Sequence, residues 1–188
     1  MHDKPMKNTL LVLFILILIT SCAKEQNPFL IEKHNIGLLT DSTQVRDLEM
    51  IFANDSIVKF LGGDEFTGKI NDIDIYDKTG KHLLVLTPSE PLDSTATISN
   101  IRIMDNRYKT SKNISLQSTF KDIQSAYKIN RIDNLINSIN VNVNEINSYF
   151  TIDKKELPAN LRFDMDASIE ASQIPDNAKI KYFMINWK

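Results

Sequence analysis

The sequence predicts an α+β fold built on a mainly antiparallel, twisted sheet with two short capped helices. The main evidence is a series of segments in which apolar and polar side chains alternate, as they do along a strand that buries one face. The predicted strands cover residues 57–61, 67–76, 82–87, 95–104, 129–135, 139–152 and 179–187. Residues 77–80 have the composition of a hairpin turn, with glycine where a positive φ is needed.

Two amphipathic segments, each preceded by a Ser-Thr pair, predict the helices. Thr119 and Asp122 fit the capping-box pattern, in which side chains satisfy the free N–H groups of the first turn. Ser42-Thr43 is expected to cap the first helix in the same way. The apolar residues of that first segment fall on one face of a helix of about three turns, and they are Val45, Leu48, Ile51 and Phe52.

The two helical segments also resemble each other, at a spacing of about 75 residues. If Gln44 is treated as an insertion, residues 45–48 align with residues 120–123, and Phe52 aligns with Tyr127. Each half then consists of a strand end, a polar turn, a capped helix and further strands. We interpret this pattern as an internal duplication of one strand-turn-helix-strands unit.

A change of phase divides the predicted strand at residues 139–152. Its apolar positions are odd-numbered up to Val143 and even-numbered from Ile146 onward. Because side chains alternate between the two faces of a strand, this change predicts a bulge or a turn near Asn144-Glu145.

The first residues of the chain have the features of an export signal. Lys4 and Lys7 precede an apolar run at residues 10–19, which ends at Thr20-Ser21-Cys22. A basic start, an apolar run of about 7–15 residues and small residues before the cleavage point are typical of such signals. The run is shorter than the about 20 apolar residues of a membrane-spanning helix.

Thr20-Ser21-Cys22 resembles a bacterial lipobox, in which the cysteine is acylated and becomes the first residue of the mature protein. The resemblance implies a signal peptide at residues 1–21, an acylated tether at residues 22–28 and one globular domain at residues 29–188. Cys22 is the only cysteine of the chain. It is therefore the predicted lipidation site, and the membrane is the predicted partner of the anchor.

A second resemblance covers about a quarter of the predicted mature chain. Thr110, Ile114, Ser118, Thr119 and Asp122 follow a pattern similar to one in small uncharacterised lipoproteins of Bacteroidota. It implies no known activity. Lys24-Glu25 resembles a short version of the surface-export signal of that group. The predicted location is therefore either the inner or the outer face of the outer membrane.

Composition argues against several kinds of partner. The net charge is −2 and no basic stripe stands out, so nucleic acid is not an expected partner. His34 and His82 are the only histidines after residue 22, too few for a zinc site. We expect no metal and no cofactor, and structural roles for both histidines.

Several short motifs suggest chemistry that the surrounding sequence does not support. Asp72, Asp74 and Asp77 are spaced similarly to a calcium loop but lack its D-x-[DN]-x-[DN]-G order, so we expect solvated strand carboxylates. Ser118 and Lys121 spell the S-x-x-K of penicillin-binding proteins. The K-T-G at residues 78–80 comes before this serine, whereas in those enzymes it follows.

Two alternatives to a simple binding role stay open. Asp164 and Asp166 could act as acid and base in a glycan or peptidoglycan hydrolase, since paired carboxylates do this work in glycosidases. An apolar cavity between sheet and helices would instead make the protein a carrier. The sequence cannot separate a cavity wall from a core, because both have the same apolar pattern.

The favoured hypothesis is a non-catalytic, lipid-anchored binding module of the cell envelope. Its ligand would be another envelope protein or a glycan. The predicted contact surface lies on the polar side of residues 139–152, and its members are Asn140, Asn142, Asn144, Asn147 and Tyr149.

Overall fold

The fold is that of a computed structural model, which describes residues 27–59, 71–164 and 166–187. The predictions for the signal sequence, for Cys22 and for residues 60–70 lie outside the described residues. In chain order the strands are β1 (Leu30–Ile31), β2 (Asn35–Ile36), β3 (Leu39–Thr40), β4 (Ser56–Lys59), β5 (Ile73–Tyr76), β6 (His82–Pro88), β7 (Ile98–Ile103), β8 (Lys109–Thr110), β9 (Arg131–Asn134), β10 (Ser138–Val143), β11 (Ser148–Asp153) and β12 (Ile180–Asn186). The α-helices are α1 (Leu48–Ile51), α2 (Phe120–Ala126) and α3 (Ala159–Arg162), and short 3₁₀ turns cover Val45–Asp47, Asn144–Ile146, Lys154–Glu156 and Ala171–Gln173.

Eight antiparallel strands form the main sheet, in the order β4-β5-β6-β7-β12-β11-β10-β9. The sheet consists of two four-stranded meanders, and the last strand of each meander pairs with the other, β7 with β12. The expectation of an α+β fold with a mainly antiparallel sheet is therefore confirmed. The 3₁₀ turn at Asn144–Ile146 separates β10 from β11 where the apolar pattern changes phase.

The core lies on one face of the main sheet, under the helices. Ile139, Val141 and Val143 of β10 are fully buried on this face, while the side chains between them point to the other face. The rings of Phe150 and Phe183 pack at 4.5 Å between centroids, and Phe120 at the start of α2 is fully buried in the same cluster. The helices therefore cover one side of the main sheet.

A second, small sheet was not predicted from the sequence. Its order is β3-β2-β1-β8, and β1 runs parallel to β8. Gly37 joins β2 to β3 with φ at +57°, and a Cβ there would lie 2.2 Å from the Pro28 carbonyl oxygen. Only glycine accommodates both the backbone conformation and the close approach.

The start of each helix is tied to the sheet by matching contacts. In both halves, two successive N–H groups at the helix start donate to backbone carbonyls of another segment. That segment leads into β7 in the first half and into β12 in the second. The pairs are Val45–Ala96 and Arg46–Ser94 in the first half, and Phe120–Ala178 and Lys121–Asp176 in the second. Isolated bridges join Gln44 to Thr97 and Thr119 to Lys179. Gln44, just before the first helical segment, therefore makes the same kind of bridge as Thr119 just before α2.

The helix cap predicted at Thr119 and Asp122 is confirmed, whereas the cap predicted at Ser42-Thr43 is wrong. Asp122 accepts a hydrogen bond from the Thr119 N–H at 2.7 Å, as the capping-box pattern predicts. The first helical segment starts after Gln44 with a 3₁₀ turn, because the Thr43 hydroxyl instead accepts from the N–H of Thr40. The expected three turns were also too long, since α2 has 7 residues and α1 has 4.

Candidate functional site

The face of the main sheet opposite the core is polar, and we call it the polar face. Strand pairing places one row of its residues in register across seven strands. In strand order from β5 to β9, that row consists of Asp74, Val85, Arg102, Met184, Tyr149, Asn142 and Arg131. Since strands alternate, the neighbouring positions of these residues supply the core.

A groove of about 350 Å³ crosses the polar face from the β5 side to the β9 side. Asp72 lines it next to β5, and Leu135 lines it next to β9. Its central walls come from β6, β7, β10, β11 and β12. The lining residues that carry aromatic, cationic or amide groups are Arg102, Tyr149, Tyr182 and Asn140, with Met184 beside them.

The predicted contact surface is divided by the structure. Asn140 and Tyr149 line the groove. Asn142 lies on the same face, but its amide donates to Asp133 at 2.9 Å. Asn144 and Asn147 lie in the turn between β10 and β11, where Asn147 has φ at +49°.

Arg102, Tyr182 and Met184 are groove residues that the sequence analysis missed. In the sequence, Arg102 lies between Ile101 and Ile103, so its polar position on a strand was readable. The proximity of Arg102 to Tyr182 and Met184 could not be predicted, because β7 and β12 are far apart in the chain and pair only in the folded sheet. The pairing of the two meanders therefore creates the groove.

Arg102 lies at the centre of this groove, and few groups among the described residues neutralise or hydrogen-bond its positive charge. Its guanidinium carbon lies 5.7 Å from the centre of the Tyr182 ring. Its Nε is buried without a hydrogen-bond partner, and within the described ranges it forms no ion pair. A guanidinium in this state favours an incoming carboxylate, which it can bind through two parallel hydrogen bonds.

The remaining polar groups of the groove are mostly donors. The Asn140 side-chain oxygen accepts from the Thr151 hydroxyl at 2.8 Å, which leaves its amide N–H groups to face a ligand. Burial raises the pKa of the Tyr149 hydroxyl above its ordinary value of 10, so it stays protonated at neutral pH. Asp72 is already engaged, since it accepts from the Thr87 hydroxyl at 2.7 Å.

Of the two carboxylates that suggested a hydrolase, Asp164 and Asp166, the first has a structural contact. One oxygen of Asp164 accepts from the N–H groups of Asp166 and Ala167, both at 3.0 Å, which shapes a turn. Asp74, expected to be solvated, is only 4% exposed, and lies 3.5 Å from a ring nitrogen of His82. Among the described residues, no group of three or more His, Cys, Asp or Glu could hold a metal ion.

The S-x-x-K motif also has separate structural partners for its two residues. The Ser118 hydroxyl accepts from the N–H of Ser115 at 3.1 Å. Lys121 forms an exposed ion pair with Asp176 at 2.8 Å. This ion pair and hydrogen bond raise the pKa of Lys121 above its ordinary value of 10.5, the opposite of what a lysine base needs.

The space between helices and main sheet is filled by fully buried side chains, including Phe120, Phe150 and Phe183. A cavity of about 490 Å³ lies instead beside α1, against Phe29, Phe52 and Tyr108. No helix in the described ranges has the length and apolar character needed to cross a bilayer.

Comparison with known proteins shows a similar fold and no family. No protein-family model matches the sequence, and no curated protein does. The chain is similar to the crystal structure of yfeY, an uncharacterized protein from Escherichia coli, with a TM-score of 0.51 and 13% identity. The match covers 83% of this chain and 98% of that one. At this identity, the similarity concerns the fold alone.

Proposed function

We propose that the protein is a lipid-anchored, non-catalytic binding protein of the cell envelope that holds its ligand in the groove of the polar face. The observation that carries the proposal is Arg102, a cation without an ion pair among the described residues, in a groove with two tyrosine rings. The anchor would be the acylated Cys22 at the outer membrane. Several acyl chains, each contributing about 0.8 kcal/mol per buried CH₂, would hold it stably.

The chemistry of the groove favours a glycan that carries carboxylates. Tyr149 and Tyr182 combine flat apolar rings with polar tips, a combination suited to the C–H faces and hydroxyls of sugars. Asn140 supplies amide donors for sugar hydroxyls. Arg102 would bind the carboxylate of an acidic sugar, which supplies the ion-pair partner that Arg102 lacks among the described residues.

Binding without catalysis follows from the acidic groups of the groove. Glycosidases of the usual kind need two carboxyl groups on either side of the bond that is cleaved. Asp72 is the acidic residue among the described residues that line the groove, and its carboxylate already accepts from Thr87. A bound glycan would therefore be held and not hydrolysed.

We also propose that the fold arose by internal duplication. The support is the pair of four-stranded meanders that meet at β7 and β12 and the matching hydrogen bonds at the two helix starts. In this proposal Gln44 and Thr119 are equivalent positions. The groove would then cross the junction of the two copies, since Arg102 belongs to the first and Tyr149 to the second.

Binding of an acidic oligosaccharide tests the proposed function. The full-length protein in detergent micelles is titrated with hexagalacturonate and with its methyl ester, which has the same sugars without the charges. We expect hexagalacturonate to bind and Arg102→Gln to weaken it at least tenfold, because truncating one side of a desolvated charge pair costs about 2 kcal/mol or more.

The matched control is Arg46→Gln, which removes the same charge from an exposed residue outside the groove. It should leave affinity unchanged. Equal binding of the ester, an equal effect of both substitutions, or no binding of either oligosaccharide would contradict the proposal.

A further inference from the structure

The cavity beside α1 has the features of a small-molecule site, and we call it the α1 pocket. Its volume is about 490 Å³, within the range of about 300–1,000 Å³ that is common for ligand sites. The apolar walls come from the N-terminal segment, the small sheet, α1 and β6, and include Phe29, Ile36, Leu38, Ile51, Phe52 and Leu83. Seven polar side chains complete the lining, namely Asn54, Asp55, Asp77, Lys78, Thr79, Arg107 and Tyr108.

Arg107 and Asp77 are already paired and leave no free charge for a ligand. Arg107 donates to Asp77 and to Asp105, each at 2.7 Å. Asp77 also accepts from the N–H of Thr79 at 2.9 Å, and Lys81 contacts Asp105 at 3.0 Å. Two cations and two carboxylates therefore balance each other at this end of the pocket.

Asp55 is the carboxylate that this network leaves out. It is half-buried, and within the described ranges its side chain forms no ion pair and no hydrogen bond. Burial, and then the charge of Asp77, raise the pKa of Asp55 above its ordinary value of 3.8 against the smaller opposing effect of Arg107. Asp55 is thus a half-buried carboxylate without a direct partner among the described residues, whereas the unpaired ammonium of Lys78, which also lines the pocket, is exposed to solvent.

Tyr108 provides the second polar group without a partner. It is only 3% exposed, and its hydroxyl has no hydrogen bond to any described residue. Burial, and then the charges of Asp55 and Asp105, raise its pKa well above the ordinary value of 10. The phenol therefore stays neutral and can accept one hydrogen bond and donate another.

The aromatic walls complete the arrangement. Phe29 meets Tyr108 edge-on, at 5.1 Å between ring centroids, and already holds the Arg107 guanidinium 4.7 Å from its ring centre, while Phe52 lines the same cavity. Aromatic faces attract cations, and more strongly where water is excluded. An unpaired carboxylate, an unpaired hydroxyl and aromatic walls together suit a cationic head group that can donate a hydrogen bond.

We propose that the α1 pocket is a second binding site, separate from the groove, for a small organic amine with an apolar body. The ammonium would lie against Asp55 and donate a hydrogen bond to the Tyr108 hydroxyl. The apolar body would occupy the surface formed by Phe29, Ile51 and Phe52. This site does not depend on the glycan proposal, because the two sites share no lining residues.

Three probes of nearly equal shape test the charge preference. The full-length protein in detergent micelles is titrated calorimetrically with tryptamine, tryptophol and indole-3-propionate, after subtraction of titrations into empty micelles. We expect tryptamine to bind at least tenfold more tightly than the neutral tryptophol, and indole-3-propionate to bind least. Equal affinity of tryptamine and tryptophol, or no tryptamine binding up to about 10 mM, would overturn the proposal.

Substitutions locate the binding in the pocket. Asp55→Asn keeps the shape and removes the charge, so tryptamine affinity should fall at least tenfold, while Tyr108→Phe should weaken it severalfold. Glu90→Gln, an exposed acid outside the pocket, is the matched control and should change nothing. An unchanged affinity in Asp55→Asn would overturn the proposal, and if that variant does not fold, the probe comparison on the unmodified protein decides.

Discussion

At the scale of single residues, the most constrained group is the Asp105 carboxylate. Its side chain is fully buried, and it accepts from the Arg107 backbone N–H at 2.8 Å and from the Arg107 guanidinium. Burial alone would raise its pKa, but the hydrogen bonds from Arg107 and Lys81 outweigh it and hold the pKa below the ordinary 3.8. Hydrogen bonds from Thr79 and Arg107 lower the pKa of Asp77 as well.

These shifts predict how Arg107→Gln depends on pH. Because both folded-state pKa values lie below those of the unfolded chain, the stabilisation is complete above the unfolded values near 4 and is lost as pH falls through the folded values. We expect the variant to be less stable by about 2 kcal/mol at pH 7, because Lys81 remains and Arg107 is 41% exposed. The difference, measured by urea unfolding, should shrink toward pH 3.

The control for this prediction is Arg131→Gln. Arg131 pairs with Asp133 at 2.7 Å, but its side chain is 71% exposed, so its removal should cost less than about 1 kcal/mol. A difference between Arg107→Gln and the unmodified protein that stays constant from pH 7 to pH 3 would assign the effect to packing of Arg107 on the Phe29 ring, 4.7 Å away.

At the scale of elements, each helix start has an aspartate that accepts a hydrogen bond from the N–H three residues earlier, but the two hydrogen bonds differ in strength. Asp122 accepts from the N–H of Thr119 at 2.7 Å, whereas Asp47 accepts from the N–H of Gln44 at 3.4 Å. The longer distance coincides with a 3₁₀ turn at the first helix start. The same side chain at the same position therefore stabilises α2 more than the first helical segment.

We expect Asp122→Ala to lower the free energy of unfolding by about 1 kcal/mol, as loss of a helix cap usually does. For a domain of this size that corresponds to about 2–4 °C in Tm. Asp47→Ala should cost less because its hydrogen bond is long. Gln124→Ala, at an exposed position of α2, is the control and should stay within about 0.5 kcal/mol. A larger effect for Asp47 than for Asp122 would contradict this account of the caps.

At the scale of the whole molecule, the sequence predicted local structure better than assembly. Alternation located most strands of the main sheet, and the phase change at Val143 and Ile146 located a turn. The small sheet was missed because strands of two residues have no readable period, and β1 pairs with β8 across the chain. The first helix cap was misplaced because Thr43 had an equally suitable local partner in Thr40.

For the candidate site too, the sequence predicted residues that are close in the chain but not the pairing of distant strands. Asn140 and Tyr149 were predicted because they lie on one continuous stretch of sequence, and both line the groove. Arg102 and Tyr182 belong to β7 and β12, and their proximity depends on the pairing of strands that are distant in sequence. Side-chain pattern determines which face of a strand is polar, but it does not determine which strands share that face.

The most direct test of the central claim is site-specific photocrosslinking in living cells. A benzophenone amino acid replaces Tyr182, 41% exposed and in the groove, or Phe163, 87% exposed and outside it. We predict a crosslinked product only from position 182, with a mass that glycosidase treatment reduces. A product whose mass glycosidase treatment leaves unchanged, and that yields peptides of a second protein by mass spectrometry, would show a protein ligand in place of a glycan. Equal products from both positions, or none from position 182, would contradict the assignment of the groove as the binding site.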